Sequence, residues 1–267
     1  MYTIDCRRLS LLLCLGIILF LPAAFAAPQA VEADRYYPAG DEKANANDTS
    51  YRQLQEEAGR AFLAKEYGKA IECYNKVIAL KPDFAKAYLL LGGIYYNKDD
   101  HDKAIEYFNK AIALKPDYAT AYFYLGGAYC QKGNYGKAIE CYNKAIALKP
   151  DNAAAYCSLG KAYCQKGNYD KGIECYNKAI ALEPDDAATH YCLGNAFLEK
   201  GNYGQAVECY NKAIALNPDS SSAYNNRGFA REKMGRRKDA KRDYAKAYEL
   251  NPSDEMYQNN KRRSANW

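Results

Sequence analysis

The sequence predicts an all-α solenoid of six stacked helix–turn–helix units. Three observations carry that expectation. Proline recurs every 34 residues, at Pro82, Pro116, Pro150, Pro184, Pro218 and Pro252. The text around each proline recurs too: Ala-Ile-Glu-Cys-Tyr-Asn-Lys-Ala-Ile-Ala-Leu-Lys-Pro-Asp stands at 138–151, with close copies at the other five places. Each period also holds two apolar runs of helical spacing parted by a turn signal. A fixed period of this length marks supersecondary units that bury their apolar faces only by stacking. Counting back from each proline gives units 51–84, 85–118, 119–152, 153–186, 187–220 and 221–254.

The third unit shows how each element arises. Tyr122, Leu125, Gly126 and Tyr129 fall at i, i+3, i+4 and i+7, one face of a first helix. Gly133-Asn134 breaks the pattern as a turn does. Ala138, Tyr142, Ala145 and Leu148 then form the stripe of a second helix, with Ile139 and Ile146 beside them. Pro150 stops it, because proline lacks a donor and the residue before it avoids the α region. Asp151 is expected to cap the next helix. Gly126 and Ala138 lie where large side chains would hold the two helices apart, and Tyr142 is the large residue that fills the gap between units.

These residues resemble the tetratricopeptide repeat pattern: a large residue, Leu, Gly and Tyr in the first helix, then Ala, an aromatic, Ala and Pro in the second. The second unit supplies Tyr88, Leu91, Gly92, Tyr95, Ala104, Phe108, Ala111 and Pro116. The fourth supplies Tyr156, Leu159, Gly160, Tyr163, Gly172, Tyr176, Ala179 and Pro184, and the fifth His190, Leu193, Gly194, Phe197, Ala206, Tyr210, Ala213 and Pro218. The match covers 204 of 267 residues in unbroken register. The end units depart from it, with Leu54 and Ala58 in the first and Arg227 and Arg231 in the sixth, as expected where a solenoid meets water. Gly172 replaces the usual Ala inside a helix, where glycine costs roughly 0.5–1 kcal/mol, so Gly172→Ala is expected to raise stability.

The two ends read differently. Arg7-Arg8, the apolar run Leu9 to Leu21, and Ala24-Phe25-Ala26 have the layout of a secretory signal peptide over 1–27. The run is short for a membrane span, which needs about 20 residues. Leu13 is too large for a lipidation site at Cys14. Residues 28–50 carry five acids and two bases and few apolar side chains, as a flexible spacer does. Within them, Asn47-Asp48-Thr49 is a formal glycosylation sequon, and Thr49 or Ser50 is placed to cap the first helix. Residues 255–267 are too short for another unit and suit a short basic segment covering the sixth.

Charge and chemistry narrow the function. Net charge is +5 overall. From 221 onward twelve Lys or Arg face six Asp or Glu, whereas 51–220 has 21 against 20. A basic patch is therefore expected at Arg236, Arg237, Lys238 and Arg242, suited to an acidic partner or, peripherally, to anionic lipid. Nucleic acid is excluded as a partner for want of a basic motif interleaved with aromatics. Of ten cysteines, Cys73, Cys141, Cys175 and Cys209 share one place in the period, as do Cys130 and Cys164. Equivalent atoms in neighbouring units stand about 10 Å apart, beyond the ~7 Å between Cα atoms that a disulfide tolerates, so these read as small core residues. Cross-position pairs such as Cys157 with Cys192 stay open. Metal-ligand spacing is missing. His101 and His190 have no partner at a telling spacing, and no phosphate loop, nucleophile elbow or paired carboxylates occur. No enzyme activity and no cofactor are expected.

The resemblance implies a right-handed superhelix whose first helices line a concave groove. The residues it would place there are Leu89, Tyr96, Asn97, Phe123, Tyr124, Gln131, Lys161, Gln165, Tyr191, Asn195, Asn225 and Asn226. Aromatics offer contact area, and amides can bond an extended backbone. Some members of the family clamp a terminal carboxylate with Lys, Asn and Arg; here only Lys161 stands in the middle units, which disfavours that mode. The expected function is an exported, periplasmic or secreted, non-catalytic scaffold that binds a protein or peptide segment. The alternative is an envelope assembly or tethering module acting through its basic C-terminal end.

Overall fold

The computed structural model describes residues 46–267. The expected signal segment 1–27 and most of the spacer 28–50 lie outside them. Thirteen helices follow one another among the described residues. They fall into two compact units divided after Leu114.

The first unit holds α1 (Ala46–Leu63), α2 (Tyr67–Leu80), α3 (Ala85–Asn97) and α4 (His101–Leu114). Helix α1 starts inside the expected spacer and runs through residues 49 and 50, so neither is its N-cap. The reason is that nothing between 46 and 51 breaks a helix, and the period sets no limit upstream. Ala58, Ala61, Ala70, Tyr74, Val77, Ala87, Leu91 and Ile94 make the core here. Glu57 takes the place that Leu91 has one period later, and pairs with Lys69 at 3.0 Å.

The second unit holds α5 (Ala119–Gln131), α6 (Tyr135–Leu148), α7 (Ala153–Gln165), α8 (Tyr169–Leu182), α9 (Ala187–Glu199), α10 (Tyr203–Leu216), α11 (Ser221–Lys233), α12 (Arg237–Leu250) and α13 (Glu255–Ala265). Each odd helix packs on the even helix that follows it, and each even helix from α6 on packs on the next odd one. The last helix, α13, packs on α12 and buries Tyr257 and Ser264.

The turn inside each pair is built the same way. Gly133 N–H donates to the Cys130 carbonyl and Asn134 N–H to the Tyr129 carbonyl, both at 2.9 Å. That geometry needs a left-handed residue, and Gly133, Gly167, Gly201 and Gly235 supply it with φ of 71–79°. In the first unit Lys65 and Asp99 occupy the equivalent places at φ 59°, a conformation that costs an L-residue roughly 1–2 kcal/mol. Asn134 and Asn168 then cap the second helices, accepting from Lys137 N–H and Lys171 N–H at 3.2 Å. Before α7 the cap is Asn152, which accepts from Ala155 N–H at 3.1 Å, and not Asp151, which sits one residue too early in the turn after Pro150.

Within a pair, the ring of the second helix lies over the glycine of the first. A methyl group on Gly126 would stand 2.8 Å from Tyr142 Cε1, and one on Gly194 2.6 Å from Tyr210 Cε1. The same rings serve the stack. Tyr142 clusters with Leu159, Ala162 and Cys175 of the following pair, and Tyr176 with Leu193 and Ala196.

Gly172 also sits at a close approach. A methyl there would fall well inside contact distance of Cys164 Sγ and 3.1 Å from the Gly160 carbonyl oxygen. This close approach sets a steric cost against the stabilisation expected from helix propensity, because Cys164 Sγ lies where the methyl would go. We predict that Gly172→Ala lowers the melting temperature in the native background, and that it becomes neutral or gains up to about 1 kcal/mol with Cys164→Ala. A double-mutant cycle read by thermal unfolding checks this.

Candidate partner-binding surface

The expected groove residues divide into three fates. In the first unit, Leu89 is only 7% exposed and belongs to the packing, a correction to its expected place on an open surface. Tyr96 is half-buried with its ring centroid 5.4 Å from that of His101, and Asn97 donates to the Gly93 carbonyl at 3.0 Å.

In the second unit the amides are committed to one another. Tyr210 Oη donates to Asn195 Oδ1 at 2.7 Å. Asn226 Nδ2 donates to the same oxygen at 3.0 Å and to Tyr191 Oη at 3.1 Å. Asn225 Nδ2 donates to Asn226 Oδ1 at 3.2 Å, and Asn260 Nδ2 from α13 to Asn225 Oδ1 at 2.8 Å. Asn225 and Asn226 are 4% and 3% exposed. Their expected availability to an extended backbone is thus corrected. Once buried, an amide must be hydrogen-bonded or it costs about 1–3 kcal/mol, and these satisfy each other across α9, α11 and α13. Tyr191 belongs to the same network; its ring lies 5.9 Å from that of Tyr210, and burial pushes its phenol up to about 12.

What stays on the surface of the first helices is narrower. Phe123 and Tyr124 on α5 are half-buried and meet edge to face at 5.3 Å. Gln131 and Gln165 are exposed at the ends of α5 and α7. Lys161 on α7 is half-buried and within electrostatic reach of Cys130 and Cys157. The two histidines have structural surroundings: His190 Nε2 lies 2.9 Å from the Pro184 carbonyl oxygen, and His101 packs on Tyr96. Among the described residues no cluster of His, Cys, Asp or Glu could hold a metal ion, and no helix is long and apolar enough to cross a membrane.

The basic end proves partly self-neutralised. Arg227 Nη2 and Nε bond the two oxygens of Asp243 at 2.6 and 3.1 Å, and Arg231 Nη1 adds a bond of 2.8 Å. Arg227 Nη1 also donates to Asn211 at 2.8 Å. The Asp243 side chain is 3% exposed and the arginines 14% and 20%. Arg227 and Arg231 are therefore half-buried around a buried Asp243, not the water-facing end expected of them. They stand one period after Leu193 and Phe197, and Asp243 one period after Cys209. An Arg–Asp–Arg triad thus replaces an apolar trio between the fifth and sixth pairs. The signal was present in the sequence as a correlated swap within the period, Leu and Phe to Arg together with Cys to Asp. Arg242 pairs with Asp239, and Arg263 with Glu232. The Arg237 guanidinium lies 6.0 Å from the Trp267 ring. Arg236 and Lys238 are exposed. Removing one partner of a buried ion pair costs about 3–5 kcal/mol. Asp243→Asn is accordingly expected to lower unfolding stability by about 3 kcal/mol, whereas Arg236→Ala stays within about 0.5 kcal/mol of the native protein; urea unfolding measures both.

Known proteins share this architecture. The family described as "TPR repeat" matches residues 126–165, 160–201 and 194–235, and families described as "Tetratricopeptide repeat" match 57–119, 107–140 and 221–254. The crystal structure of MamA protein is 31% identical over 62% of this chain and 91% of its own, with a TM-score of 0.58. YrrB, described as a TPR protein with an unusual peptide-binding site, is 20% identical over 71% of this chain and 97% of its own, at 0.60. PilW, described as a widely conserved type IV pilus biogenesis factor, is 19% identical over 81% and 99%, at 0.72. The last two likenesses concern the fold alone. No curated protein matches the sequence. With repeat matches running from residue 57 to 254 and helix pairs stacked within each unit, the chain belongs to the tetratricopeptide repeat family, a non-catalytic scaffold of the kind that binds protein or peptide partners.

Proposed function

We propose that this chain is an exported scaffold that holds a segment of another protein against the first helices of its middle repeats. The observation that carries the reading is the composition of the exposed and half-buried positions on the first helices of the middle repeats. The amides Asn195, Asn225 and Asn226 are committed to one another, and the arginines Arg227 and Arg231 to Asp243. The exposed and half-buried positions of α5 and α7 include the aromatic pair Phe123–Tyr124, the exposed amides Gln131 and Gln165, and the cation Lys161. Aromatic area with a few polar anchors suits an extended peptide. The peptide-binding site named for YrrB, a protein of the same fold, supports this reading. Export rests on the layout of residues 1–27, a basic start, an apolar run and a small-x-small site.

A second reading is favoured by the exposed cations Arg236 and Lys238 at the C-terminal end and by the likeness in fold to PilW, a pilus biogenesis factor. In it the chain acts as an assembly or tethering module in the cell envelope, through its basic end.

Affinity capture from a native envelope extract, using the full chain and two charge variants, separates the readings. Lys161→Glu with Gln165→Glu alters α7 on exposed and half-buried positions and spares the amide network. It is expected to weaken capture of the protein held by the native chain by about tenfold or more, the equivalent of ~1.4 kcal/mol, with helicity by circular dichroism unchanged. Arg236→Glu with Lys238→Glu is expected to retain capture. The reverse pattern would reject the first-helix surface in favour of the basic end.

A further inference from the structure

The amide network has a regular geometry. Position 5 of one first helix meets position 6 of the next, 35 residues on. Tyr191 and Asn226 form one such rung at 3.1 Å, and Asn225 and Asn260 the next at 2.8 Å. The rung before them joins α7 to α9, whose backbones approach within 8 Å, Cα to Cα. Its two side chains are Cys157 and Cys192. The two thiols occupy the places that are hydrogen-bonded in the next two rungs, and both pack against the cluster of Tyr176, Leu193 and Ala196. Both are free. No other rung of the second unit carries two cysteines: the equivalent pairs are Phe123 with Ser158, Tyr191 with Asn226 and Asn225 with Asn260.

We propose that Cys157 and Cys192 form a reversible disulfide by exchange with a small-molecule disulfide, stapling α7 to α9, with Cys157 as the attacking thiol and Cys192 as the resolving one. The geometry suits the bond. Same-position cysteines are separated by a full repeat spacing, whereas this rung places two side chains of adjacent pairs against one cluster, on helices whose Cα atoms approach within 8 Å, the range from which the ~4.4–6.8 Å of a disulfide is reached.

The chemistry of the site selects these two thiols. Cys157 is half-buried, and its thiol is pulled below the ordinary thiol range by the hydrogen bond from Cys192 and by Thr189, with Lys161 one turn along α7 adding a smaller pull. Burial pushes Cys141, Cys164, Cys175 and Cys209 up to about 11, and raises Cys73 and Cys130 as well. Cys192 is raised well above the thiol range by its bond to Cys157 and by burial, so it stays protonated until the first exchange has occurred. The thiolate is the attacking form.

In the first step the Cys157 thiolate attacks one sulfur of the small disulfide, its S–S bond breaks, and the released thiolate takes up the proton that Cys157 gave to solvent. In the second step Cys192 loses its proton, its sulfur attacks the Cys157 sulfur of the mixed disulfide, and the second small thiol leaves with that proton. Two electrons and two protons pass from the protein to the small disulfide.

The full native chain incubated in graded mixtures of reduced and oxidised glutathione, quenched by alkylation and mapped by mass spectrometry, tests the proposal. The expected result is the loss of two of the ten thiols, with the Cys157 and Cys192 peptides joined and lighter by two hydrogens, while Cys130, Cys141, Cys164, Cys175 and Cys209 remain alkylated. Cys192→Ser should halt the reaction at a glutathione adduct on Cys157. Cys157→Ser should leave Cys192 unreacted. Brief alkylation of the reduced native chain should label Cys157 first among the eight described cysteines. A native chain that stops at a glutathione adduct on Cys157, pairs either cysteine with a different one, or leaves both untouched overturns the proposal.

Discussion

The contact on which the rest of the structure depends is an aromatic ring of each second helix laid over the glycine of its own first helix. At Gly126 a single added carbon would stand 2.8 Å from Tyr142, closer than packed carbons come. The glycine lets the two helix axes close up, and the ring, once seated, presents its far side to the next pair. Tyr142 reaches Leu159 and Cys175, and Tyr176 reaches Leu193. One ring thus makes both the hairpin and the stack, which is why the motif has to recur with each period. Where the first helix of the series carries Ala58 in place of glycine, that residue is still fully buried. The terminal pair keeps the contact, with Gly228 under Tyr244, although the apolar trio on its inner side has become Arg227, Arg231 and Asp243.

Most of the fold was legible because it is written in short-range spacing. Helical stripes such as Tyr122, Leu125, Gly126 and Tyr129, the Gly133-Asn134 turn and the proline stops need only neighbours within eight residues, and the helices from α2 through α12 follow them. The sequence is less informative where a side chain's fate is decided by a residue on another helix. Gly172 was read by helix propensity, yet Cys164, eight residues before it and on the facing helix, fills its space. Asn225 and Asn226 were read as surface amides, yet their partners are Tyr191, Asn195 and Asn260. Arg227 and Arg231 were read as a solvated end, yet Asp243 lies between them. In each case the period gives the face of the helix but is silent on which residue of the neighbouring helix stands opposite.

The rungs joining positions 5 and 6 of successive first helices show how this chain changes chemistry from repeat to repeat while keeping its backbone. In the second unit one rung is thiol to thiol, the next phenol to amide, the last amide to amide. The packing positions of the period are nearly invariant from pair to pair; these are not. Specific chemistry in a repeat stack therefore concentrates in side chains that the ring-and-glycine contact leaves unconstrained. The amide rungs tie α13 to α11 and α11 to α9, so the terminal helix is held by polar bonds where the interior pairs are held by apolar ones. The surface left for a partner is smaller, more aromatic and less amide-rich than the bare sequence suggests.

The claim that one ring sets both the pair and the stack is tested most directly by thermal unfolding of Gly126→Ala in two backgrounds, native and Tyr142→Leu. With Tyr142 in place, the added methyl has nowhere to go, and a loss of about 1–3 kcal/mol is expected, as for overpacked cores. With the ring removed, the same methyl should cost little, because the atoms it met are gone. An equal loss in both backgrounds would mean that the glycine is not there for the ring, and would contradict the account.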